Sequence, residues 1–148
     1  MFTEPCRIDN FHQESYRFLS NFYMAPVTYK GYTFRNAEAA FQAQKCANAE
    51  DVRRFTSLSA KEAKALGRKV SLIPSWEEDK VRVMREVVKA KFLQNETLKE
   101  WLLATGDAEL IEGNTWGDTY WGVDVRTGKG RNFLGKILME VRDTVNNP

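Results

Sequence analysis

The chain has 148 residues, of which 43% are hydrophobic and 28% charged, the balance of an ordinary soluble globular protein with enough length for one real core. A net charge of only +2 argues against strong sequence-independent binding to nucleic acid, and no apolar run reaches the ~18 residues of a membrane span. His12 is the only histidine, and Cys6 and Cys46 lack CxxC spacing, which argues against histidine triads and histidine- or cysteine-rich metal sites. The opening "MFTEPCRIDNFHQES" has no apolar h-region, so reduced thiols in a cytoplasmic protein are expected.

In chain order, "VTYKGYTF" (27–34) reads as a β-hairpin turning at Lys30-Gly31, with the glycine taking positive φ. Asn36 is a candidate N-cap for a helix through "AEAAFQAQKCA", and "AEDVRRFTSL" suggests a second helix. Ser59 with Glu62 forms a capping-box pattern opening "AKEAKAL", which Gly67 closes as a C-cap glycine. Ser75 with Glu78 repeats the pattern before a longer helix to about Leu93, where Val81, Met84, Val88 and Phe92 make an apolar stripe. "ETLKEWLLATG" is a shorter helix ending at Gly106, and "AELIE" (108–112) a strand. Asn132 is placed to cap a last helix, "FLGKILMEVRDTV", with Phe133, Ile137, Leu138 and Val141 on one side. With no repeat, low-complexity tract or linker, these elements predict one α+β domain over 1–148, helix-rich with a small β-sheet.

Polar residues mark two places. Glu38, Phe41, Gln42 and Lys45 stand at i, i+3, i+4 and i+7, so a helix there would put a carboxylate, a ring, an amide and an ammonium on one face. That face is either solvated, with one stray phenylalanine, or it presents polar groups into a cleft. Glu38 falls in the first turn, where the positive end of the helix dipole favours an ionised carboxylate. Upstream, Asn21 and Phe22 lie in "RFLSNFYMAP", readable as a turn with hydrophobic anchors or as a wall that stacks a flat ring and bonds its edge.

The second place is "NTWGDTYWGVDVRTGKGRNFLGK" (114–136). Trp116 and Trp121 flank Asp118; their indoles either pack on the core or stack on a base and desolvate the acid. Gly128-Lys129-Gly130 before a helix start at Asn132 has the character of an anion cradle, although it matches no nucleotide fingerprint.

Taken together, "FLSNFY", "NAEAAFQAQK", "ALGR", "MREVVKAKF", "LLATGDAELIEGN", "DTYWG" and "GKGRNFLGKILMEVR" occur in the order found in the YbiA-like or NADAR (NAD- and ADP-ribose-associated) family, and the chain resembles that family from about Phe18 to Arg142. Ala39 stands where many members carry histidine, so no role of that histidine is carried over, and the region 123–126 is longer than in some members.

The resemblance implies a YbiA-like fold and N-glycosidase chemistry. The bond cleaved would join a phosphorylated ribose to a base-like group, as in early riboflavin-pathway intermediates or ADP-ribose on guanine, including guanine in DNA. On this reading Glu38 stabilises the ribosyl cation or activates water, and Asp118 is the second carboxyl, in the manner of paired glycosidase acids. Trp121, with Trp116 or Phe22, would stack the base, and Asn21 and Gln42 would read polar edges. Lys45, Arg68 and the turn from Gly128 through Gly130 to Asn132 would receive phosphate. No cofactor or metal is implied, and no membrane partner. A module that binds ADP-ribose or NAD-type ligands without cleaving them is the principal rival, and a scaffold comes after it.

Overall fold

The computed structural model describes residues 6–146. Its contacts group into two units, one running from Asn21 to Asn95 and the other assembled from the segment up to Ser20 and the segment from Glu96 onward. Among the described residues the secondary structure is α+β and helix-rich, as expected, but the strands form three separate two-stranded pairs instead of one small sheet.

Strand β1 is Arg7–Ile8. The unit 21–95 begins with the expected hairpin, whose strands, β2 (Met24–Tyr29) and β3 (Tyr32–Asn36), extend beyond residues 27–34. β2 and β3 pair antiparallel, with Tyr29 opposite Tyr32. Both turn residues take positive φ, Lys30 at 53° and Gly31 at 89°, which is the twist a two-residue turn needs to match its strands. The register slips between Met24 and Val27, where Pro26, which has no N–H to give the ladder, is accommodated.

Asn36 ends β3 and caps α1 (Ala37–Ala43), its Oδ1 accepting from Ala39 N at 2.7 Å. Its Nδ2 donates to the Leu58 carbonyl at 3.2 Å, so one side chain both starts the helix and ties down a loop. α1 is shorter than the sequence suggested. It stops at Ala43, where the Gln44 side chain donates to the Ala40 carbonyl at 2.9 Å and Lys45 N bonds back only to Gln42 O. α2 (Ala49–Arg54) passes into a single 3-10 turn, Phe55–Ser57.

The capping box at Ser59 and Glu62 is fully formed and opens α3 (Ala60–Gly67). Ala60, Ala63 and Gly67 are its buried residues, a small-residue face that lets α3 approach α1 closely. α4 (Trp76–Gln94) starts differently from its sequence pattern. Ser75 has φ −89° and ψ 5° and makes no side-chain cap; its hydroxyl donates to Asp79 Oδ2 at 2.7 Å instead. α4 packs along the hairpin. Gln94 brackets Thr28, accepting from its N–H at 2.7 Å and donating to its carbonyl at 2.9 Å, in the way a neighbouring strand would. Tyr29 donates to Glu86 at 2.6 Å; burial, followed by this bond, raises the phenol's pKa, while the same bond lowers that of Glu86.

In the other unit, β1 runs parallel to β4 (Glu109–Leu110), and β5 (Gly113–Asn114) parallel to β6 (Val123–Asp124). The "AELIE" stretch thus supplies a two-residue strand. α5 (Glu96–Ala104) ends before Gly106 at φ 62°, and α6 (Phe133–Asn146) buries Leu134, Ile137, Leu138, Val141 and Val145. Asn132 precedes α6 at φ 52°, yet its side chain does not cap it. Its Oδ1 accepts from Glu112 N and its Nδ2 donates to Leu110 O, clamping the chain that follows β4.

Asn36→Ala removes a cap and a loop tether together. Folding stability is expected to fall by about 1–2 kcal/mol in urea unfolding; a loss under a few tenths would mean the helix is held by packing alone.

Candidate active site

Every residue of α1 is buried, including Glu38 at 8% exposure and Gln42 at 6%. Within α1 the polar face is therefore not a solvated one. Alanines at 37, 39, 40 and 43 are wholly enclosed, which is what draws the helix so far in. Glu38 N donates to the Asn21 carbonyl at 3.0 Å, giving the second free N–H of the helix start a partner. The Glu38 carboxylate accepts from Gln42 Nε2 at 3.3 Å.

Asn21, Phe22, Lys45 and Arg68 belong to the same unit. Asn21 is buried, with Nδ2 donating to Met84 Sδ at 3.2 Å and Oδ1 without a hydrogen-bond partner. Phe22 is 47% exposed, with the Lys64 ammonium 5.9 Å from its ring centre. Phe41 instead packs on Trp76, ring centres 5.1 Å apart. Lys45 lies beyond the helix end and its Nζ donates to Gly67 O at 3.4 Å. Burial draws the Lys45 pKa down, opposed by the Glu38 carboxylate and reinforced by Arg68. Arg68 is exposed.

In the other unit the loop between β5 and β6 carries the rest. A parallel pair usually needs a crossover of a dozen residues or more; here residues 115–122 suffice because side chains replace a ladder. Asn114 is the hub. Its Oδ1 accepts from Asp118 N at 2.9 Å, and its Nδ2 faces Asp118 O at 2.8 Å, Glu112 Oε2 at 3.1 Å and Val123 O at 3.3 Å. Asp118 Oδ1 in turn accepts from Tyr120 N at 3.0 Å and Trp121 N at 2.9 Å, shaping the turn that presents the indole. Trp121 meets Tyr120 edge-on at 4.8 Å and Phe133 at 6.5 Å. Trp116 is 53% exposed and stacks edge-on with His12 at 5.5 Å.

The glycine-rich turn is closed on itself. Gly128 N donates to Asp124 O and Lys129 N to Thr127 Oγ1, so two of the N–H groups expected for an anion are engaged inside the loop. The N–H groups of Asn132, Phe133 and Leu134 donate to the carbonyls of Gly122, Tyr120 and Trp121, so the start of α6 is capped by this same loop. At Gly130 (φ 154°) a Cβ would fall 2.2 Å from Gly122 O, and at Gly122 it would meet Glu112 Oε2 at 1.8 Å; both glycines are required by close approach.

Residues 10–146 match the model of the NADAR domain. The chain belongs to the NADAR family. It is 40% identical over 141 residues to the N-glycosidase YbiA of Escherichia coli strain K12, covering 92% of this chain and 87% of that protein. It is 35% identical to the N-glycosidase Npun_R5314 of Nostoc punctiforme, over 90% of this chain and 88% of the relative. It is also 41% identical to the riboflavin biosynthesis protein VVA0006 of Vibrio vulnificus, over 88% of this chain but only 36% of that longer protein. The NMR structure of E. coli YbiA superposes with a TM-score of 0.84 at 36% identity, covering 97% of this chain and 88% of that one. The resemblance seen in the motifs is therefore a family membership, and the chain is an enzyme of the N-glycosidase kind.

Three residues of this NADAR chain that the motif reading passed over matter to the geometry. Asn114 was read only as the start of a stretch, and Glu112 as the end of a strand. Lys91, in "MREVVKAKF", is 1% exposed, with its Nζ 5.1 Å from the Phe92 ring centre and 6.0 Å from that of Tyr23. Its signal was present: Lys91 follows Met84 by two helical turns and so falls on the stripe that faces the core. Burial lowers its pKa to about 7.

The unfolded lysine keeps its proton up to about 10.5, whereas the folded one loses it from about 7. Between those values the unfolded chain binds the extra proton, so raising the pH stabilises the fold, by up to ~1.4 kcal/mol per pH unit. Lys91→Met should flatten that slope. Urea unfolding from pH 6 to 9 checks this, and a wild-type stability that falls across the same interval contradicts it.

Proposed function

We propose that this NADAR N-glycosidase hydrolyses the C–N bond between a phosphorylated ribose and an aminopyrimidine-like base of the early riboflavin pathway. The observation that carries the reading is Glu38: a carboxylate held in the interior, on a helix with no exposed residue, oriented by the Gln42 amide. A relative named for riboflavin biosynthesis supports the choice of substrate class. ADP-ribosyl guanine has the same ribose, phosphate and base-nitrogen chemistry and is the other arm of the test.

In this mechanism water adds its oxygen to the anomeric carbon, the C–N bond breaks, and a proton from the water passes to the departing nitrogen. Positive charge grows on the ribose ring as that bond lengthens. Glu38 stabilises this charge or takes the proton from water. Asp118 holds Tyr120 and Trp121 with one oxygen, and its other oxygen positions water or a ribose hydroxyl. The Trp121 indole stacks the base. Lys45 and Arg68 receive the phosphate; a phosphate would restore to the Lys45 ammonium the favourable surroundings that burial removes.

Glu38→Gln keeps the shape of the side chain and removes its charge. It is expected to fold normally and to lower kcat by about 100-fold or more. The assay follows release of free base and ribose phosphate from a phosphoribosylated aminopyrimidine, beside release of ADP-ribose from an ADP-ribosylated guanine oligonucleotide. Wild-type turnover by Glu38→Gln would remove Glu38 from the mechanism; turnover of the oligonucleotide alone would transfer the substrate assignment. Binding of either compound without products would favour the non-catalytic module.

Trp121→Ala tests the stacking role separately. Substrate binding should weaken by about 1–3 kcal/mol, with thermal stability nearly retained. A large fall in Tm with unchanged affinity would show that the ring serves only Tyr120 and Phe133.

A further inference from the structure

We infer that Gly67 is a positioning residue for Glu38, acting through the side chain of Gln42. This rests on the reading of Glu38 as the catalytic carboxylate. Gly67 is the last residue of α3, inside the cap at Arg68 and not beyond it, where a terminating glycine takes positive φ, and it is not among the positive-φ residues described. Its backbone conformation is one that any residue adopts. What excludes a side chain is Gln42. A Cβ at position 67 would fall 1.9 Å from Gln42 Oε1, 2.7 Å from Cδ and 3.3 Å from Cγ.

The amide is thus seated between the glycine and the carboxylate. On one side Nε2 donates to Glu38 Oε1 at 3.3 Å. On the other, Oε1 is buried without a hydrogen-bond partner and occupies the space a methyl at 67 would need. The amide is therefore held by its bond to Glu38 on one side and by the room that the absent side chain at 67 leaves on the other. α3 cannot readily withdraw, because Ala60 and Ala63 are buried on the same face and Lys45 holds the Gly67 carbonyl at 3.4 Å. The atoms in the way are the far end of a flexible side chain. An alanine would therefore enter by displacing the Gln42 amide, with little cost to the fold, and the Glu38–Gln42 hydrogen bond would be lost.

The test compares Gly67→Ala, Gln42→Ala, the double variant and Glu38→Gln, using whichever of the two substrates above the wild type turns over. Gly67→Ala is expected to lower kcat on the order of 10- to 100-fold, the scale of a small misplacement, with KM little changed. The acid limb of its pH profile should move to higher pH, because a donor favouring the ionised carboxylate is gone. Gln42→Ala should reproduce both effects, and the double variant should match Gln42→Ala with no further fall. A crystal structure of Gly67→Ala should show the amide turned away from Glu38.

Wild-type kcat and pH profile in Gly67→Ala, a change confined to KM, or multiplicative losses in the double variant would overturn the inference. If Gly67→Ala does not fold, the double variant, which has no amide to collide with, decides by the same comparison with Gln42→Ala. If Glu38→Gln retains turnover, the catalytic reading fails by itself; if Glu38→Gln is inactive and Gly67→Ala is not impaired, only the Gly67 inference fails.

Discussion

The unit 21–95 is organised by one constraint: a seven-residue helix that has no solvent-facing side. Propensity cannot sustain so short a helix in isolation. α1 persists because Asn36 caps it, the Asn21 carbonyl takes the next N–H, and four alanines let its neighbours close on every side. Enclosure then sets the terms for the polar residues it carries. Burying an amide or carboxylate without partners costs several kcal/mol at least, so Glu38 and Gln42 are oriented by each other and by whatever surrounds them. A solvent-facing glutamate would sample many rotamers, whereas this one is confined before any ligand arrives.

The other unit reaches a defined loop by the opposite route. Residues 115–131 bury little and form almost no ladder; their shape comes from side chains bonding to backbone. Asn114 joins Glu112, Asp118 and Val123, Asp118 fixes Tyr120 and Trp121, Asp124 holds Arg126, and Asn132 clamps 110 and 112. Short polar side chains are suited to this because they reach the backbone a few residues away at little entropic cost. The glycines complete it by letting backbones come nearer than any Cβ allows.

Elements governed by neighbours in sequence were readable in advance. The hairpin turn, the Asn36 cap, the Ser59–Glu62 box and the extent of α4 all depend on contacts within a few residues. The misreadings share a cause, which is that a short-range pattern met a distant partner. Ser75 resembled a cap, but its hydroxyl goes to Asp79. Asn132 resembled a cap, but its amide is taken by residues some twenty positions back. Gly67 does end α3 as its pattern suggested, but its smallness also answers to Gln42 on another helix. The parallel pairs β1–β4 and β5–β6 left no periodic trace, since two residues are too few to show alternation. Lys91 had a visible signal in its spacing from Met84, masked by the expectation that lysines are solvated.

The pairing of Arg7 with Glu109 and Ile8 with Leu110 has a bearing on how the chain comes into being. The unit 21–95 is continuous, so all of its own partners have left the ribosome once Asn95 has emerged. The unit built from both ends is in the reverse situation: its first strand is made early and must wait, edge unpaired, for a partner about a hundred residues later. Loop closure over that span is slow compared with local pairing. During translation the strand Arg7–Ile8 is therefore open to chance partners until residues 109–110 are made.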